Sequence, residues 1–492
     1  METNFPIAGR LTISNEFVDG QGPQFSSINP ATQESVWLGN AASKPQINLA
    51  VESAQSAFLS WSNLDLDSRV SIVRRFTELV TERRDDLAEW ISLETGKPFW
   101  ESLTEVTAVS GKLAPSLEAH ELRASTLSRP AGAGESVTRF LPHGVVAVLG
   151  PYNFPAHMPN GHIIPALIAG NTVVFKPSPL TPAVADFVVK LWIEAGLPPG
   201  VLNVVHGDKE AAQELASHTG VKGVFLTGSP AAGEALQKLL EGGPKKILAL
   251  ELGGNSPLIV WDYANLSVAT NIALQSTFIT SGQRCSAARR LIIPADDDQI
   301  VPSLLNALSK LRIGASTNRP EPFIGPVISN EHANLLLAQQ DRLIAMGGVP
   351  LMRMTRVEQG LPFLTPGLID MTEAIGRDDE EVFGPILQVI RVNSFEEAII
   401  EANGTRYGLA AGLVSQDVDK YKEFVSRVDA GVIAWNQQLT GASALAPFGG
   451  VKGSGNFHPS GFLAVDYCVK SVGALEVQFP ELPKSLPPGL IV

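Results

Sequence analysis

Cysteine is nearly missing from this chain of 492 residues, which holds two. Two thiols cannot build a disulfide framework or ligate a structural zinc by themselves, so a reducing, cytoplasmic setting and no metal are expected. Basic residues are also in short supply, 37 Lys and Arg against 50 Asp and Glu. The formal net charge of −13 argues against nucleic acid and other polyanionic partners, which need a basic surface. No apolar run reaches the length of a bilayer span, so no membrane helix is expected. The opening Met1-Glu2-Thr3-Asn4-Phe5 lacks the basic-then-apolar order of a secretory signal. The dinucleotide fingerprint G-x-G-x-x-G does not occur, nor does any internal repeat or low-complexity tract.

What remains describes a well-packed protein. The length suggests two or three domains, and 44% of residues are hydrophobic. Ile47, Val51, Ala54, Phe58 and Trp61 fall on one helical face, as do Val70, Val73, Phe76 and Val80. From 144 the texture changes to β-branched runs, Gly144–Leu149, Asn171–Phe175, Val201–Val205, Gly223–Leu226 and Ile247–Leu250, separated by helical stretches. Continuous apolar strands alternating with helices predict an α/β fold with a mostly parallel, doubly wound sheet, which binds ligands at the carboxyl ends of its strands. A second series follows Glu251, with strands expected over Pro257–Val260, Arg290–Ile293, Ile386–Ile390 and Gly431–Trp435. The segment 120–141 lacks helical periodicity and is expected as an extended arm. The tail from Phe479 is too rich in proline for a helix.

One of the two cysteines closes the run Phe278-Ile279-Thr280-Ser281-Gly282-Gln283-Arg284-Cys285, and Glu251-Leu252-Gly253-Gly254-Asn255 begins 34 residues upstream of it. A thiol, partly ionised near neutral pH, is a strong nucleophile toward a carbonyl carbon, and a carboxylate from a separate strand end can activate water to release a thioester. Taken alone, such a cysteine is more often a buried structural residue beside a helix-capping glutamate.

The flanking blocks decide. Gly150-Pro151-Tyr152-Asn153-Phe154-Pro155, Asn171 to Ser178, Phe225 to Gly233, Glu251 to Pro257, Gly282 to Cys285, Glu381 to Pro385 and Pro447-Phe448-Gly449-Gly450 resemble, in order, the motifs of the NAD(P)-dependent aldehyde dehydrogenases. The resemblance covers nearly the whole chain. It implies Cys285 as nucleophile, Asn153 with the Cys285 backbone N–H as oxyanion donors, and Glu251 as the base for the hydrolytic water. For the cofactor it implies Lys176 at the adenosine ribose, the helix-opening loop Gly228, Ser229 and Gly233 at the phosphates, and Glu381 with Phe383 at the nicotinamide end. Many members carry a Glu three residues after the lysine, where it binds the ribose 2′-hydroxyl. Here Pro179 stands there, so NAD is expected with NADP possible.

The resemblance further implies a cofactor domain over 1–119 and 142–252, a catalytic domain over 253–467, and an oligomerisation arm and tail over 120–141 and 468–492, giving a homodimer or homotetramer. A narrower resemblance covers Tyr152 to His162, Leu439-Thr440-Gly441-Ala442-Ser443, and Ser454 to Ser460 with Asp466-Tyr467-Cys468. These look like a branch of the family that oxidises an N-succinylated glutamate semialdehyde in arginine breakdown. Ser286-Ala287 and Lys452-Gly453-Ser454 depart from that branch, so other semialdehydes or a broad range stay open. His157, Asn160 and Ser443 are candidates to meet the substrate carboxylates, and Arg284 adjoins the nucleophile without necessarily facing substrate. His157 and His162 are equally readable as packing histidines, and Cys468 as a small core residue. A CoA-acylating relative would usually lack Glu251, and a non-catalytic one Cys285.

Overall fold

A computed structural model describes residues 5–132, 134–243, 245–441, 443–483 and 485–492. Met1 to Asn4, over which no secretory signal is expected, lie outside them, as does Ala442 of the segment 439–443. Two seven-stranded sheets carry the chain. The first runs in the order Ile247–Glu251, Val221–Thr227, Val145–Leu149, Thr172–Lys176, Leu202–Val204, Leu11–Ile13, Glu16–Val18. Its first five strands are parallel, and the two N-terminal strands close the edge antiparallel. Strand alternation explains why the runs are apolar throughout. Val146 and Val148 point into one hydrophobic cluster, while Val145, Ala147 and Leu149 point into the cluster on the opposite face. The second sheet runs Val349–Met352, Gly367–Asp370, Ile386–Val392, Ala288–Pro294, Ser256–Val260, Ala410–Val414, Val432–Trp435, all parallel except the first pair. There Leu258 and Val260 serve one core and Ile259 the other.

The segment 120–141 is extended only in part. The helix Leu113–Arg123 runs into it, and an antiparallel hairpin, Leu127–Ala131 with Gly134–Pro142, follows and pairs with Val469–Glu476. The described residues from Phe479 onward form no helix. No helix among the described residues is long and apolar enough to cross a membrane.

Register positions the site. Leu149 pairs with Lys176, Leu226 with Leu149, and Thr227 with Glu251, so four parallel strands end in one row. Those ends open onto a cleft of about 1020 Å³ whose other wall comes from the segments around Cys285, Phe383 and Phe448.

Candidate active site

Lys176 ends its strand with its ammonium buried and donating to the Pro177 and Gly207 carbonyls at 2.6 and 2.8 Å. Burial pulls its pKa down to about 8. On the neighbouring strand end, Gly228 N–H donates to the Glu251 carbonyl at 3.0 Å, and Ser229 caps the helix Pro230–Leu240 by accepting from Ala232 N–H at 3.2 Å. The free N–H groups and positive dipole end of that helix point into the cleft wall, a donor set suited to a pyrophosphate. Gly233 lies behind this wall. A Cβ there would come 2.6 Å from Leu252 Cδ1, so its glycine is a packing requirement, not a cleft contact. Pro179 also stays off the cleft, whereas Ser178 and Lys209, the first residue of the helix Lys209–Ser217, line it.

The nucleophile segment is held in an uncommon shape. Thr280 and Ser281 have φ of 58° and 53°, and Gly282 follows at 71°. Left-handed backbone at non-glycine residues costs of order 1–3 kcal/mol each, so the surroundings must impose it. Glu101, from the helix Phe99–Ser110, does so by accepting from Thr280 N–H at 3.2 Å and from the Thr280 hydroxyl. Ser281 Oγ donates to the Gly325 carbonyl at 2.7 Å. Arg289 is buried and donates to the carbonyls of Gly282 and Arg284 at 2.7 and 2.9 Å, so its guanidinium ties both ends of the loop.

Cys285 emerges half-buried beside Glu251 and Glu381. Burial first, then those two carboxyl groups, push its thiol up to about 12, with Arg289 only partly opposing. Glu251 Oε1 accepts from Ser460 N–H at 3.0 Å, while Oε2 is buried without a partner among the described residues. Burial raises its pKa to about 8, and Lys112 pulls against that rise. Such a carboxyl, with one oxygen uncommitted, can take a proton from a thiol or a water placed against it. Asn153 commits one amide N–H to the Gln283 carbonyl at 2.8 Å, which fixes the plane of the amide and leaves its second N–H uncommitted. Glu381 lies 3.5 Å from Arg289, and burial lifts it to about 7. Its approach needs Gly253, where a Cβ would sit 1.9 Å from Glu381 Oε2. Phe383 stands edge-on to Tyr152 at 6.2 Å.

Eight of the nine residues singled out from the sequence thus line one cleft, Gly233 being the exception. Of the candidates for substrate carboxylates, His157 and Arg284 line it too. Asn160 does not. It is buried in the helix His157–Ile168, donating to the Ala156 carbonyl at 2.8 Å and accepting from Trp192 Nε1 at 3.2 Å. Ser443 is exposed and accepts from Leu445 N–H at 3.2 Å. His162 packs between the Tyr467 hydroxyl at 2.8 Å and Thr227 Oγ1 at 3.2 Å, held neutral by burial, and Cys468 is a core residue. Sequence reasoning missed Glu101, Glu105, Lys112 and Arg289. The one available signal was a pair of carboxylates four residues apart in a helix that also carries Val106 and Val109 on its buried side.

The profile of the aldehyde dehydrogenase family matches residues 17–471. The chain is 49% identical over 484 residues to an N-succinylglutamate 5-semialdehyde dehydrogenase of Chromobacterium violaceum, covering 98% of this chain and 99% of the relative. It is 47% identical over 482 residues to the protein of that name from Pseudomonas fluorescens, again with 98% and 99% coverage. Among solved structures, the NAD+ complex of an aldehyde dehydrogenase from Bacillus cereus superposes with a TM-score of 0.90 at 29% identity, over 96% of this chain and 97% of that one.

Proposed function

The chain belongs to the aldehyde dehydrogenase family, and from that premise we propose that it oxidises N-succinyl-L-glutamate 5-semialdehyde to N-succinyl-L-glutamate. Family membership makes it an NAD(P)-dependent oxidoreductase. The succinylated substrate rests on one observation above the others, the near-full-length identity to two relatives of that name.

Each residue then has a task. Cys285 Sγ attacks the aldehyde carbon, passing its proton toward the uncommitted oxygen of Glu251, to give a thiohemiacetal. The uncommitted N–H of Asn153 and the Cys285 backbone N–H hold the developing oxyanion, where removing one such donor typically costs ~10²–10³ in rate. Lys176, Ser229 with its helix N-terminus, Glu381 and Phe383 would hold the dinucleotide, all of them lining the one cleft of about 1020 Å³. When bound, that cofactor supplies the hydride acceptor that leaves Cys285 as a thioester. Glu251, once it has released the thiol's proton to solvent, then activates the water that releases the acid. The proposed division follows the sheets: a cofactor domain over 1–119 and 142–252, a catalytic domain over 253–467, and the antiparallel hairpin with its C-terminal partner strand as an arm between subunits of a cytoplasmic dimer or tetramer.

On cofactor choice, Pro179 offers no carboxylate to a ribose hydroxyl, and Ser178 and Lys209 face the cleft nearby. A site without that acceptor loses both a charge-assisted hydrogen bond to NAD and repulsion of a 2′-phosphate. NAD is therefore used with weak discrimination against NADP. The assay is formation of N-succinylglutamate with equimolar NADH or NADPH. A kcat/KM ratio above roughly 10³ for NAD, about 4 kcal/mol, contradicts the cofactor proposal, and no acid product contradicts the reaction.

A further inference from the structure

At the substrate end of the cleft, three cations converge on one aromatic pair. Lys97 Nζ lies 3.8 Å from the centroid of the Phe154 ring, and Arg284 Cζ lies 4.8 Å from it. The Phe154 and His157 rings are 6.0 Å apart, nearly perpendicular. Lys112 reaches the same helix one turn on, so close that a Cβ at Gly161 would come 3.5 Å from its Nζ. Two carboxylates oppose these charges. Glu105 pairs with Lys97 at 2.6 Å and Glu101 with Arg284 at 3.0 Å, while no carboxylate among the described residues pairs with Lys112. Burial pulls the Lys112 ammonium down to about 8, and Glu251 is the carboxylate whose field acts on it.

Two groups in this cluster have unused hydrogen-bonding capacity. Arg284 spends Nε on Thr280 Oγ1 at 2.7 Å, one Nη1 hydrogen on the Thr440 carbonyl at 2.9 Å, and one Nη2 hydrogen on Glu101. A guanidinium has five N–H donors, so one on each terminal nitrogen is uncommitted, and Arg284 lines the cleft. His157 has a buried Nδ1 with no partner among the described residues, and its imidazole lies by the Ala108 backbone. With Nδ1 unpartnered, placing the hydrogen on Nε2, toward Ala108, makes Nδ1 an acceptor. Burial and then the fields of Lys112, Lys97 and Arg284 hold the imidazole neutral, well below its ordinary pKa.

We propose that this cluster reads the far end of the substrate as an N-acylated amino acid, Arg284 gripping its α-carboxylate and His157 Nδ1 accepting its amide N–H. A free ammonium at that carbon would face the cation cluster. Acylation removes the charge and leaves a single N–H, which is what a neutral imidazole acceptor can use. The proposal rests on the aldehyde-oxidising reading of the cleft, and it names residues that nothing in the family motifs assigns.

The test compares kcat/KM within each variant for four aldehydes on the same five-carbon chain: N-succinyl- and N-acetyl-L-glutamate 5-semialdehyde, 5-oxopentanoate and pentanal. Ratios within one variant cancel any loss of folded protein. Arg284→Gln should lower the ratio of 5-oxopentanoate to pentanal about 10- to 100-fold, the scale of lost charge-assisted hydrogen bonds. Arg284→Lys, which keeps the charge but not the fork, should lower it less and serves if the first variant does not fold. His157→Leu should lower the ratio of N-acetylglutamate semialdehyde to 5-oxopentanoate about tenfold, with partial recovery in His157→Gln, whose amide oxygen can accept. Unchanged ratios in folded variants overturn the inference. So does wild-type protein that oxidises pentanal as well as the acylated aldehydes. If the N-acetyl compound equals the N-succinyl one while the variant ratios fall as expected, the inference stands and the succinyl assignment falls. If no aldehyde is oxidised, both fall.

Discussion

At the scale of single residues, the site keeps two acids in unusual states. The Cys285 thiol is pushed up to about 12 and the Glu251 carboxyl up to about 8, both chiefly by burial. Cys285→Ala should abolish oxidation while leaving cofactor binding intact, because only the covalent step is lost. Glu251→Gln removes the base for both steps, so the single-turnover burst of reduced cofactor and the steady turnover should both fall, whereas a full burst followed by slow turnover would confine Glu251 to release of the acid. The sign of the pH effect follows from the raised pKa. Below about 8 the Glu251 carboxyl holds its proton and cannot activate water, so kcat falls as pH drops through that value and levels off above it. Lys112 favours the carboxylate, so Lys112→Met should move this limb to higher pH. A limb that stays in place, or persists in Glu251→Gln, contradicts the assignment. The identity of these residues was legible because each sits in a glycine-marked block. Their pKa shifts were not, since these depend first on burial and then on Glu381 and Lys112, which come from distant parts of the chain.

At the scale of elements, legibility followed burial. Strands covered on both faces, such as Val145–Leu149, wrote themselves as unbroken apolar runs. Ala410–Val414 did not, because its neighbours sit too close for large side chains. A Cβ at Gly412 would come 2.4 Å from Leu439 Cδ1, and the strand opens on Ala410, Ala411 and Gly412, which carry little strand signal. The half-exposed edge strand Val349–Met352, interrupted by Pro350, was silent for the opposite reason. The helix Phe99–Ser110 is the element whose importance the sequence concealed. Glu101 holds the nucleophile loop, and one turn on Glu105 Oε1 accepts from Ala156 and His157 N–H at 2.9 and 3.1 Å at the start of the next wall of the cleft. Glu105→Gln leaves Lys97 buried without its carboxylate, and breaking a buried pair costs about 3–5 kcal/mol. Urea unfolding should show that loss at unchanged slope, together with a rise in KM. A loss under 1 kcal/mol would mean that the pair is replaced easily and does not set the loop.

At the scale of the whole molecule, two sheets bring their working ends to one cleft. Parallel register does this on the cofactor side by ending four strands in a row, which fixes Lys176, Thr227 and Glu251 relative to one another before any ligand binds. The other wall supplies Cys285, Glu381 and Phe383. The order of the motifs in the chain revealed which residues meet, but not that Lys97, Lys112 and Arg284 gather at one end of the cleft. That charge distribution bears directly on substrate choice. An unbranched aliphatic aldehyde would leave the uncommitted groups of Arg284 and His157 poorly paired, at ~1–3 kcal/mol for each buried group. The most direct measurement is competition between N-succinyl-L-glutamate 5-semialdehyde and hexanal at equal concentration, read as the ratio of the two kcat/KM values. The account predicts that the succinylated substrate is preferred at least tenfold, and a hexanal kcat/KM equal to or above that of the succinylated substrate would contradict it.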